Sequence, residues 1–287
     1  MKKIQKIVFP IDFTRRSTKG AQHVATWARK FDAEVVAVHF IDPEDHDASA
    51  PPDNLRFMAD LPILTEKATR DLDFFCEQNL ASCRVRRIVK MGEKAVAVPL
   101  LAQDEKADLV MIPRDHQPWV ERFMTDSFTA KMLNECPVPI WTSEHLDDDP
   151  SPNIMHILCA VHVEDSVSLD AANERLIQAV RTVASTFGAR VTCLYVGEHG
   201  SNFLRPDSKF AASISERLEK IHHEVEDISD FEVESGGIAR TIHRVAVDKS
   251  ANLIMTGRSR PGTISLGLQT HILIIDHNGP CPILSML

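Results

Sequence analysis

The sequence predicts two consecutive α/β domains, each a doubly wound parallel sheet. One observation is internal duplication across the 287 residues. Ile7–Asp12 (IVFPID) returns as Ile157–His162 (ILCAVH), and Phe31–Phe40 (FDAEVVAVHF) as Phe187–Val196 (FGARVTCLYV). Ala107–Pro113 (ADLVMIP) returns as Ala251–Gly257 (ANLIMTG), and Cys136–Trp141 (CPVPIW) as Cys281–Leu284 (CPIL). The other observation is that short β-branched runs alternate with stretches of helical periodicity. Strands separated by helices pair in parallel, and right-handed crossovers then set helices on both faces.

In the first half, Lys6–Ile11 is a β-branched run ended by Asp12. Ala21, Val24, Ala25, Trp27 and Ala28 give Thr18–Lys30 helical spacing. Ala33–Ile41 is the second strand, and the polar, Pro-rich segment Pro43–Pro62 reads as a long connection. Leu64–Asn79 is a helix with Leu72, Phe75 and Cys76 on one side. Arg84–Lys90 is a half-exposed strand. Lys94–Glu105 is a helix over which Val96, Leu100 and Leu101 recur. Asp108–Ile112, Ser127–Asn134 and Val138–Thr142 complete the half as strand, helix and strand.

The second half repeats the plan. Its strands are Met155–Val161, Arg190–Val196, Phe231–Glu234, Leu253–Thr256 and Pro282–Met286. Its helices are Ser168–Phe187, Ser208–Ile228, Gly237–Lys249 and Thr270–His277. The acidic, Pro-containing stretch Glu144–Asn153 (EHLDDDPSPN) suits a solvated hinge. The expected domains are therefore 1–144 and 153–287, joined by a linker at 145–152.

Composition narrows the function. Hydrophobic residues make up 44% and charged residues 25%, as in globular proteins. No apolar run approaches the roughly 18–20 residues of a membrane helix, so no membrane role is expected. The basic start, MKKIQKIVFPID, meets Asp12 too early for a signal peptide. A net charge of −9 argues against nucleic acid as a partner. Six scattered cysteines without a CxxC pair read as buried, reduced thiols, and the cytoplasm is the expected compartment.

Both halves resemble the universal stress protein (UspA) domain, so the chain looks like a tandem member of that family. The residues that carry the resemblance are VFPID, the small-residue helix after it (Ser17, Gly20, Ala21, Ala25, Ala28), the ADLVMIP strand with its following loop, and the closing helix and Pro-containing strand. The resemblance implies two adenine-nucleotide-alpha-hydrolase-like, Rossmann-like domains. Each is a five-stranded parallel sheet ordered 3-2-1-4-5. Many members bind ATP at the carboxyl ends of strands 1 and 4, using an Asp after strand 1 and a G-x2-G-x9-G-[ST] loop after strand 4. Glycines let amides approach phosphate, and a helix N-terminus adds partial positive charge.

This chain departs from that pattern. In the first half Pro113, His116 and Asp126 stand at the three glycine positions, while Ser127 keeps the hydroxyl and Asp12 the acid. Asp12 has two equal readings, ligand contact and strand-ending turn residue. In the second half Gly257, Arg258, Arg260 and Gly262 (within GRSRPG) form a candidate anion cradle. The later Gly-[ST] positions hold Gln269 and Thr270, the loop is one residue short, and His162 replaces the Asp. Gly92 and the Gly236–Gly237 pair mark the turn after strand 3, which in the family lies beside the ribose. A tight turn is their main reading.

No catalytic or metal-binding set emerges. His222 and His223 are adjacent, pointing about 100° apart on a helix, which does not suit one metal. No nucleophile elbow or P-loop can be found. The leading expectation is a non-catalytic stress-response protein, its two domains packed as an internal pseudo-dimer with homodimerisation as a further option and its protein partner open. One alternative is an ATP-, ADP- or AMP-binding switch with weak hydrolysis, using the second domain. Another is a sensor of small-molecule or lipid-like ligands.

Overall fold

The computed structural model describes residues 3–42, 54–113, 128–143, 151–161, 167–197, 229–258, 272 and 280–286. The chain divides into two compact units, Lys3–Asp148 and Asp149–Leu287.

The first unit runs β1 (Lys6–Pro10), α1 (Arg15–Phe31), β2 (Glu34–Ile41), α2 (Asn54–Asn79), β3 (Arg84–Met91), α3 (Lys94–Asp104), β4 (Leu109–Pro113), α4 (Phe128–Glu135) and β5 (Ile140–Ser143). Its strands are parallel, in the order β3-β2-β1-β4-β5. The chain steps one way from β1 to β3 and then doubles back beyond β1 to β4. Right-handed crossovers therefore put α1 and α2 on one face and α3 and α4 on the other. Phe9 of β1 meets Phe75 of α2 at 6.4 Å between ring centroids, and His23 of α1 meets Trp141 of β5 at 5.1 Å. The strand reversal leaves a crevice at the carboxyl ends of β1 and β4, where open α/β sheets place ligands.

The second unit runs β6 (His156–Val161), α5 (Val167–Phe187), β7 (Arg190–Gly197), β8 (Asp230–Ser235), α6 (Ile238–Asp248), β9 (Leu253–Gly257) and β10 (Ile283–Met286). Its parallel order, β8-β7-β6-β9-β10, is that of the first unit. The helix expected at Ser208–Ile228 lies outside the described residues, as does all but Ile272 of the one at Thr270–His277.

Both sheets are founded on the same clasp. Asp108, just before β4, accepts the backbone N–H groups of Gln5 (2.8 Å) and Lys6 (3.0 Å) through one oxygen. Asn252, just before β9, accepts those of Met155 and His156, both at 3.0 Å. Cationic side chains brace these ends. Lys6 reaches the Glu105 carboxylate at 3.2 Å, which also pairs with Arg86, while Lys249 reaches Asp230 at 2.7 Å. The Arg86 guanidinium holds the Glu105 carboxyl below its usual range. The basic run of β3 pairs with β2 alone among the described strands of its unit. Charged residues there discourage further strand addition.

Two expectations are corrected. Pro43–Pro62 is not all connection, because α2 begins at Asn54 and passes through Pro62. Phe57, Leu61, Leu64 and Ala68 recur at helical spacing and pack with Ile41 and Val89. That stripe outweighs the one helical bond a proline removes. In α3 the inward residues are Ala95, Val98, Leu101 and Ala102, whereas Val96 and Leu100 are exposed at 50% and 56%. The sequence carries two apolar stripes, and the one that contains the alanines is the buried one.

Candidate functional site

The loop leaving β1 is built around Asp12. Its Oδ1 accepts from the Thr14 amide (3.0 Å), the Thr14 hydroxyl (2.7 Å) and the Ser17 hydroxyl (2.5 Å). The Asp12 amide donates to Ser17 Oγ at 3.2 Å. Thr14 is the N-cap of α1, so one side chain ties the strand end to the helix start. Burial alone would raise the Asp12 pKa. The hydrogen bonds from Ser17 and Thr14, helped by the Lys94 ammonium, outweigh it and hold the carboxyl below its ordinary value. All three bonds end on Oδ1, and Oδ2 takes none of them.

Phe13 follows with φ +62°, a left-handed conformation that costs a non-glycine residue about 1–2 kcal/mol. Its ring lies 4.4 Å from that of His39 and 6.2 Å from that of Phe75. His39 Nδ1 lies 2.8 Å from the Ile11 carbonyl oxygen, which can only accept, so the proton sits on Nδ1. Burial, aided by the Lys94 ammonium, lowers the His39 pKa against the opposing pull of the Ile11 bond.

Below this loop, a cavity of about 210 Å³ opens at the carboxyl ends of β1 and β4. Pro10, Ile11, Phe40, Ile112 and Pro113 supply apolar wall from the strand ends, and Phe128 and Thr129 close it from the first turn of α4. Asp12, Ser17 and Lys94 bring the polar groups. Lys94 is the first residue of α3, two positions after Gly92. Gly92 has φ +135°, in a region only glycine enters readily. That geometry fits the tight-turn reading, and the turn also delivers Lys94 to the cavity. Sequence reasoning missed Lys94, although a lysine opening the helix beside the expected ligand was a legible signal.

Of the other first-half candidates, Ser127 lies outside the described residues, as do His116 and Asp126. Pro113 ends β4 with its ring against Gly20 of α1, where an added β-carbon would lie 2.9 Å from Pro113 Cγ.

In the second unit, Gly236 has φ +148°, and a β-carbon there would meet Thr241 Oγ1 at 2.8 Å. Gly237 is the N-cap of α6. These glycines end β8, while Gly257 ends β9, with β7 and β6 between the two strands. The structure thus places the pair and Gly257 at the same end of the sheet but three strand spacings apart, about 14 Å. Among the described residues, nothing lies within 4 Å of a β-carbon added at Gly257. Arg258 is only 5% exposed, and its amide donates to the Met286 carbonyl at 2.6 Å. Its position is a buried one rather than the tip of a solvated loop. Arg260, Gly262 and Thr270 lie outside the described residues, as do His162, His222 and His223.

Among the described residues, no group of three or more His, Cys, Asp or Glu side chains could hold a metal ion. All six cysteines are free thiols, and only Cys83 is not fully buried. No described helix is long and apolar enough to cross a membrane.

Residues 3–143 match the model of the universal stress protein family. No curated protein matches the sequence. Among solved structures, a universal stress protein from Archaeoglobus fulgidus DSM 4304 superimposes with a TM-score of 0.71 at 13% identity, covering 98% of this chain and 95% of that one. A functionally unknown protein from Pseudomonas aeruginosa PAO1 gives 0.65 at 14% identity, covering 99% and 92%. A putative universal stress protein from Pseudomonas aeruginosa UCBPP-PA14 gives 0.64 at 14% identity, covering 99% and 93%. At such identities the likeness is one of fold.

Proposed function

We propose that this chain is a tandem universal stress protein that acts without catalysis in the stress response, and that its first domain has given up nucleotide binding. The family match over residues 3–143 and the duplicated sequence support the family reading. The observation that carries the loss of nucleotide binding is Pro113. It stands where the ATP-binding pattern has its first loop glycine, has no amide to offer a phosphate, and is seated on Gly20. Asp12 remains, but its Oδ1 is committed to Thr14 and Ser17.

The test is the melting temperature of the chain with Arg260→Ala, which removes a cation of the second-domain loop. Millimolar ATP should leave it unmoved. Saturation of a site at 100 times its Kd would add about 2.7 kcal/mol, a shift no melt would miss. A shift that disappears on Asp12→Ala would sink the proposal.

A second reading, in which the second domain binds ATP, ADP or AMP, draws support from the room that the described residues leave at Gly257 and from the cation at Arg258. Thr270 and Gly262 would complete such a cradle. Titration of the three nucleotides against wild type and Arg260→Ala tests it, and equal affinities would refute it. Arg260→Ala is the better probe because Arg258 is buried. Internal pairing of the two domains and a cytoplasmic setting belong to the same proposal. Separately expressed halves should co-purify, and cell fractionation should find the chain with cytoplasmic markers.

A further inference from the structure

Cys159 and Cys193 lie side by side in the second sheet. They are Cα partners on the adjacent parallel strands β6 and β7, so their side chains point to the same face. Both are fully buried free thiols, and their sulfurs share a hydrogen bond. The fold does not call for sulfur there. At the matching positions of the first unit, Phe9 of β1 and Ala37 of β2 are partners in the same register and equally buried. An apolar pair fills that place in one copy of the duplicated sheet, and a dithiol fills it in the other.

Adjacent strands run about 4.7–4.9 Å apart, inside the roughly 4.4–6.8 Å between Cα atoms that a disulfide spans. The sheet therefore holds the two residues at bonding range. What keeps them as thiols is that the sheet is closed. The hydrogen bond from Cys193, together with burial, raises the Cys159 pKa well above its ordinary value, and the thiolate is the reactive form. Local opening admits water, and the thiolate returns with it.

We propose that Cys159 and Cys193 form a cryptic redox site, which a hydroperoxide converts to a β6–β7 disulfide when the second sheet opens. One thiolate attacks the peroxide O–O bond, giving a sulfenic acid and releasing hydroxide, which takes up the proton that the thiol had lost. The other thiol attacks the sulfenic sulfur, the S–S bond forms, and water leaves. Two electrons pass from the pair of thiols to the peroxide, which ends as water. A dithiol reductant reverses the change by exchange. The site records opening of the second sheet under oxidising conditions, and it stands apart from the crevice of the first unit.

The experiment treats the full chain with hydrogen peroxide, in native buffer and in urea below the unfolding midpoint. Remaining thiols are alkylated, and the non-reduced digest is read by mass spectrometry. A linked peptide carrying Cys159 and Cys193 should accumulate slowly in native buffer. Urea should quicken it by about tenfold or more, in step with hydrogen exchange of the β6 and β7 amides, because the reaction follows the open population. Dithiothreitol should restore both thiols. In Cys159→Ala the Cys193 thiol has no resolving partner, so it should end as a sulfinic or sulfonic acid instead. If that variant does not fold, the linkage map of the wild type decides alone. No Cys159–Cys193 peptide at any urea concentration below the midpoint overturns the inference. So does a spread of pairs among the six thiols, which marks an unfolded chain rather than an opened sheet. An equal rate with and without urea overturns it as well.

Discussion

Gly20 of α1 lies against the ring of Pro113: a β-carbon at position 20 would sit 2.9 Å from Pro113 Cγ and 3.0 Å from its Cβ. The close approach seats the helix on the end of β4, beside the crevice. Glycine inside a helix costs about 1 kcal/mol relative to alanine, so Gly20→Ala would be stabilising on propensity alone. The contact reverses that sign, because a pyrrolidine ring has little freedom to yield. Gly20→Ala should destabilise by about 1–3 kcal/mol, the usual cost of overpacking. Urea unfolding reads this as a lower midpoint at unchanged slope. Pro113→Ala in the same chain should recover part of the loss, and additivity of the two changes would show that the contact is not the cause.

The Asp12 knot makes a prediction in acid. Its folded-state pKa lies below the ordinary value, so its contribution to stability is complete above about pH 4, the pKa of an unfolded Asp. It is lost as pH falls from there through the folded value. Asp12→Asn should therefore flatten the acid limb of the stability profile. A carbon-detected NMR titration should place the Asp12 midpoint below the ordinary carboxylate value. A midpoint above it would mean that burial prevails over the hydroxyl donors. Thr14→Ala, which removes both a donor to Asp12 and the α1 N-cap, should cost about 1 kcal/mol.

His156 makes another, at the opposite end of the second sheet. The ring is 3% exposed; its Nδ1 donates to the Lys249 carbonyl at 2.9 Å, and its Nε2 accepts from the Thr192 hydroxyl at 2.8 Å. Burial depresses its pKa, so the folded ring is neutral where the unfolded one takes a proton. Stability is then complete above about pH 6.5 and declines as pH falls toward the folded-state value. Proton NMR should find the His156 midpoint below 6.5, and a midpoint above it refutes the assignment. Thr192→Val strands the Nε2 acceptor and should cost about 1–3 kcal/mol.

Repetition made the two sheets legible, because every strand of one half except the third had a matching block in the other to be checked against. The order of strands came from the family resemblance, and the observed pairing agrees with it. The path of the chain between β2 and β3 was less legible. Pro62 reads locally as a breaker, and only the spacing of Phe57, Leu61, Leu64 and Ala68 reveals the helix that carries it. The buried face of α3 was not legible, because Val96 and Leu100, which recur along the helix, are exposed while the smaller Ala95 and Ala102 are buried. At the site, Asp12 was legible through its motif. Lys94 was overlooked although it opens the helix after the Gly92 turn, because its place beside Asp12 brings together residues 82 positions apart through the sheet topology.

The Asp108 and Asn252 clasps bear on what can be built from this chain. Each anchors the amino end of its sheet through a single side-chain oxygen, and β4 and β9 are each five residues long, about 16 Å of rise. The foundation and the ligand end are thus a strand length apart and are held by different atoms. A loop exchanged after Pro113 would leave the Asp108 anchor untouched. The first sheet is in that sense a graftable scaffold, on which a phosphate-binding loop from elsewhere could be set without rebuilding the base.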